Sequence, residues 1–391
     1  MKILYVVPSY VGHGTYFRCL HLGRGLSKLG NDVTLICSSH RDFDLGITRT
    51  DIGRNMRIIT LPRVKYHQYY TGQIARGLIS CLEATGMDYD LIHAFTVSQP
   101  PAAFPAVFAA KILRKPLFVD WDDLWSGGGF GDYHPFVVRK AIEWMETTIP
   151  KMALGITVVS ELLEKKIAEL GIEKNKVHKI INGSNIDQVK PIDKARCRLR
   201  LGLGQSHRIV VSMGNTYMGD SLLYLFEAFS LVIRKYPNAK LLMVGRVDLE
   251  NRSEKVKTLY KGISHGVIFR TNQPLDTVPY YLGAADALVL PMDNIPLEIA
   301  RYPIRVGDYL ASGRPIVSDA VGEVKRIFGA NKCALLSNPG DTPAFSENII
   351  QVLASEELQK ELGNRSRRAA IDCSWAKVAQ QLSEVYSDVV D

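Results

Sequence analysis

Two arginines and one aspartate near position 305 have the clearest chemical potential in this sequence. Arg301, Arg305 and Asp308 stand at i, i+4 and i+7, ahead of a Gly-Arg-Pro turn and an apolar pair. If residues 304–311 form a helix, the three side chains lie on one face near its N-terminal end. Guanidinium groups suit phosphate oxygens and a carboxylate suits a pair of sugar hydroxyls, so the spacing predicts a nucleotide-sugar site. A surface helix with ordinary i,i+4 charges would show the same pattern.

A second cluster, residues 120–125, places three carboxylates and two indoles after an apolar run. Neighbouring carboxylates raise one another's pKa, and a raised pKa favours proton transfer near pH 7. Indoles stack on sugar faces. The segment therefore predicts an acceptor site in which Asp122 contacts the reacting hydroxyl. The other acceptor-binding residues predicted in this segment are Asp120, Trp121 and Asp123. Helix capping with tryptophan packing is the alternative, and a Mg²⁺ site is another.

The elements that position these clusters repeat in the two halves of the chain. Each half begins with an apolar run, a glycine-containing loop, an amphipathic helix and a second apolar run. This is the βαβ unit of a doubly wound parallel sheet. The first half shows the strands at 2–7 and 32–37 with the loop at 11–15, and the second half shows the strands at 208–213 and 240–244 with the loop at 214–219.

Later apolar runs extend both predicted sheets. Ligands of such sheets bind beyond the carboxyl ends of the strands. Two sheets facing each other would therefore enclose a cleft that holds both chemical clusters. The additional strands are predicted at 91–93, 117–119 and 155–159 in the first half, and at 267–269, 287–290 and 315–317 in the second.

The loop after the first strand is a candidate phosphate site. Gly12 and Gly14 precede a helix, whose N-terminal amides and dipole favour an anion. Many βα loops contain a glycine turn and bind no ligand, so the loop alone is weak support for a phosphate site. His13, in the same loop, is a candidate acceptor contact. His93 is interpreted as a buried structural histidine, and a triad of Ser160, His93 and Asp122 is rejected because no Gly-x-Ser-x-Gly elbow supports it.

Composition narrows the class of protein. The 391 residues suit two domains, and the longest apolar-leaning stretch, residues 100–110, is about half the length of a membrane-spanning helix. Six widely spaced cysteines without a Cys-x-x-Cys pair argue against a zinc site or a disulfide framework, and favour a cytoplasmic setting. The net charge of +8 favours a polyanionic partner, but no nucleic-acid-binding motif is present.

Residues 49–70 combine basic and aromatic side chains with a single acid, Asp51. Basic residues near an anionic bilayer contribute about 1 kcal/mol each, and tyrosines favour the interface. The segment therefore predicts a peripheral membrane contact or a lipid-acceptor face, at the inner face of the membrane. A solvated, flexible loop is the interpretation that the pattern favours over such a contact.

With these features together, the chain resembles the GT-B glycosyltransferases, in particular the large retaining group numbered family four. The resemblance rests on the two βαβ halves, on residues 305–315, on the segment 177–183 and on Ser160. It implies an α/β fold of two Rossmann-like doubly wound parallel-sheet domains facing across a cleft. The implied domains are an acceptor domain at 1–186, a nucleotide-sugar donor domain at 187–372, and a C-terminal helix at 373–391 that returns to the first domain.

The resemblance also implies roles for single residues. Gly14 matches the glycine whose loop amides approach the donor phosphates, and Asp308 matches the second acid of a Glu-x7-Glu motif that binds the donor ribose. The first acid of that motif falls on Ala300, so Glu298 is the candidate that replaces it. Further donor contacts are predicted at Gly214, Asn215, Gly245 and Arg246.

The chain departs from the family at the diphosphate. Two cations usual after the first strand of the second domain are Asn215 and Asp220 here. Burying a diphosphate without compensation would cost several kcal/mol, so other cations must replace them. Arg301 and Arg305 are the nearest candidates, with Arg246 or Arg270 in support.

The sequence thus predicts glycosyl transfer from a UDP- or GDP-linked sugar to a glycan, lipid or small-molecule hydroxyl, with retention. The catalytic candidates are Asp122, Arg305 and Glu298. No metal or other cofactor and no nucleic acid is expected, since the nucleotide sugar is the substrate. A sugar-nucleotide epimerase or hydrolase of the same fold, and a noncatalytic partner protein, are the alternatives.

Overall fold

The computed structural model describes residues 1–41, 44–63, 71–214 and 221–390. The chain divides into two compact units. Unit 1 comprises Met1–Asn182, Ile299–Tyr302 and Trp375–Asp391, and unit 2 comprises Gly183–Glu298 and Pro303–Ser374. The cleft predicted between the halves stays a prediction.

Fourteen strands are formed by the described residues, and nearly all are short apolar runs. They are β1 (Lys2–Tyr10), β2 (Asp32–Ser38), β3 (Thr48–Asp51), β4 (Met56–Leu61), β5 (Leu91–Phe95), β6 (Leu117–Trp121), β7 (Gly155–Val158), β8 (Val177–Lys179), β9 (Arg208–Met213), β10 (Ala239–Val244), β11 (Val267–Arg270), β12 (Ala287–Leu290), β13 (Ile316–Asp319) and β14 (Ala334–Ser337).

Helices connect these strands. They are α1 (Tyr16–Lys28), α2 (Thr71–Thr85), α3 (Pro100–Leu113), α4 (Phe136–Thr148), α5 (Glu161–Glu169), α6 (Lys194–Leu201), α7 (Ser221–Lys235), α8 (Glu254–Ile263), α9 (Val278–Gly283), α10 (Pro296–Ala300), α11 (Arg305–Ser312), α12 (Gly322–Asn331), α13 (Thr342–Ala354), α14 (Glu356–Asp372) and α15 (Trp375–Val390).

Each unit is built on one doubly wound sheet. Unit 1 has eight strands in the order β3-β4-β2-β1-β5-β6-β7-β8, parallel except for the antiparallel β3–β4 pair. Unit 2 has six parallel strands in the order β11-β10-β9-β12-β13-β14. In both sheets the strand order reverses beside the first strand of the unit, which is where open α/β sheets bind ligands. The predicted fold class of two Rossmann-like parallel-sheet domains is therefore confirmed.

Burial explains why the strands read as apolar runs. Helices cover both faces of a parallel sheet, so β1, β5 and β12 have few exposed side chains. One buried cluster centres on β1, α1 and α15 in unit 1, and another centres on α7, β10 and α13 in unit 2.

Helix α15 closes the hydrophobic core of unit 1. It packs on α1 so closely that a Cβ added to Gly25 would lie 2.3 Å from the Cβ of Ala379. Its Tyr386 is fully buried, and the Tyr386 hydroxyl lies 2.6 Å from His93 Nδ1 and 3.2 Å from the Tyr5 hydroxyl. The prediction that His93 is a buried structural residue is confirmed.

Two local predictions were wrong. The favoured interpretation of residues 49–70 was a flexible loop, but 48–51 and 56–61 are strands β3 and β4, because β4 pairs with β2 in the sheet. Residues 64–70 lie outside the described residues. Arg301 does not share a helical face with Arg305 and Asp308, because helix α11 begins only at Arg305. Pro303 disfavours helical geometry in the residue before it, so the chain is not helical between α10 and α11.

No helix that the described residues form is both long and apolar enough to span a bilayer.

Candidate functional site

Asp122 lies at the carboxyl end of the unit 1 sheet, directly after β6. Its carboxylate accepts hydrogen bonds from the hydroxyls of Thr15, at 2.7 Å, and Thr96, at 2.9 Å. Thr15 precedes α1 and Thr96 follows β5, so loops after three neighbouring strands converge on one side chain. Asp122 is 8% exposed. The carboxylate is therefore held rigidly by hydroxyl donors in a nearly dry environment.

The pKa of Asp122 is raised from its usual 3.8 to about 7. Burial is the largest cause, followed by the charges of Asp123 and Asp120, while the hydrogen bond from Thr15 opposes the shift. A group with a pKa near neutrality exchanges its proton readily at physiological pH. The chemistry predicted for the 120–125 cluster is thus physically available at Asp122.

Thr96 adopts a strained backbone conformation, with φ at 61°. Positive φ is rare for a β-branched residue, since its Cβ substituents clash with the backbone. Such strain persists where surrounding contacts hold it, and it concentrates at functional sites. Here the conformation accompanies the hydrogen bond from the Thr96 hydroxyl to Asp122. Neither Thr15 nor Thr96 was singled out from the sequence, and the only signals available were their places directly before α1 and directly after β5.

Asp120 has a different environment from Asp122, although both are buried. Arg18 contacts its two carboxylate oxygens at 2.8 and 2.9 Å, and the Thr157 hydroxyl also donates to it. Arg18 further donates to Asn182 Oδ1 at 3.1 Å and to the Ile180 carbonyl at 2.7 Å. The Asn182 amide in turn donates to the Tyr302 carbonyl at 2.6 Å. Asp120 therefore anchors a buried network in unit 1, and its predicted acceptor contact stays a prediction.

The other predicted acceptor residues occupy varied positions in unit 1. Trp121 is buried, Asp123 is partly exposed and His13 is exposed beside the Tyr10 ring, with 4.1 Å between ring centroids. The loop that follows Asp123 is held by Glu146, which the sequence did not reveal. Its carboxylate accepts hydrogen bonds from the backbone amides of Trp125 and Ser126 at 2.9 and 2.8 Å.

The first-strand loop contains two glycines with positive φ, Gly12 and Gly14. A Cβ added to Gly14 would lie 3.1 Å from Ser9 Oγ. The loop leads directly into α1, as the predicted strand–loop–helix unit requires. Binding of donor phosphate at Gly14 stays a prediction.

In unit 2, Arg305 is packed directly on the end of strand β9. A Cβ added to Gly214 would lie 2.1 Å from Arg305 Nη1, so only glycine leaves room for the guanidinium there. Gly245, which follows β10, is equally constrained, because its Cβ would lie 2.6 Å from the Gly214 carbonyl oxygen. Both glycines have positive φ, 123° and 130°. The structure thus brings three predicted donor residues together; Asn215 lies outside the described residues.

Asp308 stands three residues after Arg305 on α11 and is half-buried. Its pKa is raised to about 7, and among the described residues burial is the cause. A carboxylate that loses hydration without compensation gains most from new hydrogen-bond donors. A pair of sugar hydroxyls would supply such donors.

Tyr309 fixes the position of α11 and was not recognised from the sequence. Its buried hydroxyl accepts a hydrogen bond from the Met213 amide at 2.7 Å and donates to the Val289 carbonyl at 3.2 Å. These bonds tie the helix to β9 and to β12, the two strands between which the order of the sheet reverses. Arg305 and Asp308 therefore lie on a helix that is held rigidly in place.

The remaining predicted donor and catalytic residues lie on segments other than α11. Glu298 is half-buried on α10, Arg246 is exposed after β10, and Arg301 is half-buried in the segment assigned to unit 1. Their roles stay predictions. Within the ranges that the structure describes, no group of three or more His, Cys, Asp or Glu side chains is arranged to hold a metal ion.

Two family models match the chain. The model described as "Glycosyl transferases group 1" matches residues 207–355, and the model described as "Glycosyl transferase 4-like domain" matches residues 12–183. The N-acetyl-alpha-D-glucosaminyl L-malate synthase of Bacillus anthracis is 23% identical over 237 residues, covering 60% of this chain and 60% of that protein. The chain thus aligns with less than two thirds of this relative's length.

Solved structures resemble the chain over its full length. Sucrose-phosphate synthase from Thermosynechococcus elongatus has a TM-score of 0.75 at 19% identity, covering 100% of this chain and 99% of that one. Anabaena Alr3699/HepE in complex with UDP-glucose has a TM-score of 0.70 at 16% identity, covering 99% and 100%. These likenesses establish the fold. Since the two family models together match more than half of the sequence, the chain belongs to the glycosyl transferases of group 1 and is a glycosyltransferase enzyme with the GT-B fold.

Proposed function

We propose that this enzyme transfers a hexosyl group from a UDP- or GDP-linked sugar to an acceptor hydroxyl, with retention at the anomeric carbon. The observation that carries the proposal lies in unit 2. The Arg305 guanidinium rests on Gly214, and the desolvated Asp308 carboxylate follows one helical turn later. A cation for phosphate and an acceptor for a diol are thus fixed on one short helix.

In this proposal unit 2 binds the donor. Asp308 accepts hydrogen bonds from the ribose hydroxyls, and Arg305 pairs with the diphosphate. The close backbone approach at Gly214 and Gly245 leaves the strand ends without side chains, so phosphate oxygens can come near. Arg301, Arg246, Asn215 and Gly14 are proposed as further donor contacts. The UDP-glucose complex of the similar Anabaena protein supports a nucleotide-sugar donor.

Arg305 also acts in the chemical step. Negative charge accumulates on the departing diphosphate in the transition state, and a fixed guanidinium there lowers the barrier. With retention, the leaving phosphate takes the proton of the acceptor hydroxyl on the same face of the sugar. Glu298 is proposed to replace the first acid of the motif and to orient the transferred sugar.

Unit 1 contributes the acceptor contacts. Asp122, with its pKa near neutrality, forms a hydrogen bond with the reacting hydroxyl and orients it. Trp121, Asp123, His13 and Asp120 are proposed to shape the acceptor surroundings. No metal or other resident cofactor enters this scheme, because the nucleotide sugar itself supplies the activated group.

A cytoplasmic setting with peripheral membrane contact through residues 49–70 remains part of the proposal. All six cysteines are free, as a reducing compartment favours. In the described portion of the segment, Arg57 pairs with Asp51 at 2.7 Å, and Arg49 pairs with Glu83 at 2.7 Å. These two arginines therefore have acidic partners within the chain.

Calorimetric titration with UDP and GDP tests the donor site. We expect one nucleotide to bind and Asp308→Asn to weaken it by about tenfold to a hundredfold, because a diol loses its charged acceptor. We expect Arg305→Ala to slow donor turnover on the order of a hundredfold. Glu347→Gln and Arg234→Ala remove exposed charges elsewhere in unit 2 and serve as matched controls.

Hydrolysis of the donor in the absence of an acceptor addresses the stereochemistry of the reaction. Donor turnover without acceptor releases the sugar into water, and nuclear magnetic resonance identifies the anomer first formed. Retention predicts the anomer of the donor. Release of an isomerised sugar would support an epimerase instead. If neither nucleotide binds at millimolar concentration, or if both variants behave like the controls, the proposed donor site is wrong.

A further inference from the structure

Helices α2 and α3 present apolar stripes to solvent. On each helix three large side chains recur at i, i+4 and i+8, a spacing that puts them on one face over about 12 Å. The two helices are packed together, since a Cβ added to Gly77 on α2 would lie 4.0 Å from Pro101 Cα on α3. The exposed stripes are Ile74, Leu78 and Leu82 on α2 and Phe104, Phe108 and Ile112 on α3, here named the α2–α3 face.

The α2–α3 face is more apolar than a solvated helix surface. The opposite side of α3 is already used, because alanine and proline residues bury it against β1 and β5. Trp144 on α4 extends the face, with its ring 6.2 Å from that of Phe104, and it is itself exposed. Contiguous apolar surface of this kind marks an interaction site on a soluble domain.

Charge indicates what the face contacts. Between residues 73 and 154, whose side chains the structure describes, the exposed acids are Asp88, Asp90, Asp132 and Glu143. Asp88 pairs with Lys2 Nζ, and Asp90 accepts a hydrogen bond from the Lys2 amide. Asp132 accepts a hydrogen bond from the Gly128 amide, and Glu143 pairs with Lys140. The exposed cations are more numerous, and they comprise Lys111, Arg114, Arg139, Lys140 and Lys151. Lys111 lies on α3 itself, and Arg139 and Lys140 lie on α4 with Trp144. An apolar face with such cations on its own helices complements an anionic lipid surface.

We propose that the α2–α3 face docks on an anionic lipid bilayer. The apolar stripes enter the boundary between headgroups and acyl chains, Trp144 lies at headgroup depth, and the surrounding cations pair with lipid phosphates. The docking face is distinct from the basic segment 49–70. It extends the proposed peripheral membrane contact, and it brings unit 1, which carries Asp122, to the lipid surface.

Vesicle co-sedimentation tests the docking face without donor or acceptor, so its outcome is independent of the proposed reaction. We expect the protein to bind vesicles of mixed phosphatidylcholine and phosphatidylglycerol, and to bind phosphatidylcholine alone weakly. Leu78→Gln combined with Phe108→Gln changes side chains that are 62% and 52% exposed, so folding is preserved. We expect this double variant to bind at least about tenfold more weakly.

A charge variant and two matched controls complete the experiment. Lys111→Glu with Arg139→Glu should weaken binding by about tenfold or more, and added salt should reduce binding of the unchanged protein. Leu199→Gln with Leu275→Gln changes leucines of unit 2 that are even more exposed, at 79% and 65%. Lys325→Glu with Lys360→Glu changes exposed lysines of unit 2. Both controls should bind like the unchanged protein.

Three results would overturn the proposal. The first is absence of binding to the mixed vesicles. The second is equal binding by the apolar variant and its leucine control. The third, by sedimentation velocity, is a dimer that the Leu78 and Phe108 substitutions dissociate while vesicles are not bound, since the face would then pair two copies of the chain.

Discussion

Two aspartates, Asp122 and Asp308, have pKa values raised to about 7 for different reasons. Around Asp122, burial acts together with the charges of Asp123 and Asp120, and two hydroxyls donate to the carboxylate. Around Asp308, burial is the cause among the described residues. The first carboxyl is thus part of a completed hydrogen-bond network, while the second gains most from a ligand that brings donors. This difference supports an orienting role for Asp122 and a binding role for Asp308.

The raised pKa of Asp122 predicts how the stability of unit 1 depends on pH. The folded state holds this proton more tightly than the unfolded state, whose pKa is near 3.8. The free energy of unfolding therefore falls as pH rises from about 4 to about 7. We expect Asp122→Asn to remove this contribution, so that its urea midpoint relative to the unchanged protein is higher at pH 8 than at pH 5.

Tryptophan fluorescence in urea follows the unfolding of unit 1, the unit that contains Asp122. All four tryptophans, at positions 121, 125, 144 and 375, belong to unit 1. Asp276→Asn, an exposed aspartate of unit 2, is the control and should leave the midpoints unchanged. A midpoint difference between Asp122→Asn and the unchanged protein that is the same at both pH values would contradict the assigned pKa shift.

At the residue scale the sequence revealed charged groups better than their partners. Arg305 and Asp308 were recognisable as candidates because their charges stand one helical turn apart, shortly before a Gly-Arg-Pro turn. Thr15, Thr96 and Arg18 were not, because a hydroxyl or guanidinium gains its role from strands that are distant in sequence. From the sequence alone, Arg18 cannot be distinguished from any other cation on an amphipathic helix.

At the scale of elements, the ends of β9 and β10 depend on each other. A side chain at Gly245 would meet the Gly214 carbonyl, and a side chain at Gly214 would meet the Arg305 guanidinium. A change at one strand end is therefore transmitted to the first residue of α11. This mutual packing makes the glycines part of the proposed donor site without requiring that they touch the donor.

We expect Gly245→Ala to destabilise unit 2 by about 1–3 kcal/mol, because the added Cβ clashes at 2.6 Å and the φ of 130° is strained for alanine. Displacement of Gly214 should also weaken nucleotide binding. Thermal unfolding followed by circular dichroism measures the first effect, and calorimetry measures the second. Gly262→Ala on α8 is the control, since nothing lies within 4 Å of its added Cβ. Equal effects of both substitutions would refute the packing argument.

Sequence patterns predicted strands that are continuous apolar runs better than strands whose apolar pattern is interrupted by charges. Residues 208–213 and 287–290 were predicted with the bounds of β9 and β12, because strands buried on both faces are continuous apolar runs. Strands β3 and β4 were missed, because exposed arginines interrupt their apolar pattern and β4 is stabilised by pairing with β2. That pairing is a tertiary property and leaves little trace in the local sequence.

At the scale of the whole molecule, the last helix completes a network in the core of the first unit. The Thr157 hydroxyl donates to Asp120, so His93 Nε2–H donates to Thr157 and His93 Nδ1 accepts from Tyr386. The Tyr5 hydroxyl then donates to the Tyr386 oxygen. Burial lowers the pKa of His93 to about 4, so the imidazole is neutral, as this chain of bonds requires. Position 386 is thereby coupled to a carboxylate 266 residues earlier.

Tyr386→Phe tests whether this network stabilises the unit. The substitution keeps the ring but leaves His93 Nδ1 and the Tyr5 hydroxyl without their partner in a dry core. We expect it to lower the free energy of unfolding by about 1–3 kcal/mol, measured by tryptophan fluorescence in urea. Tyr89→Phe is the matched control, because Tyr89 is equally buried in unit 1 and its hydroxyl has no hydrogen-bond partner among the described residues. Removing that hydroxyl should be neutral or stabilising, since a buried unpaired donor opposes folding. If both substitutions cost the same, ring packing alone holds α15 in place, and the hydrogen bonds through His93 contribute nothing to its attachment.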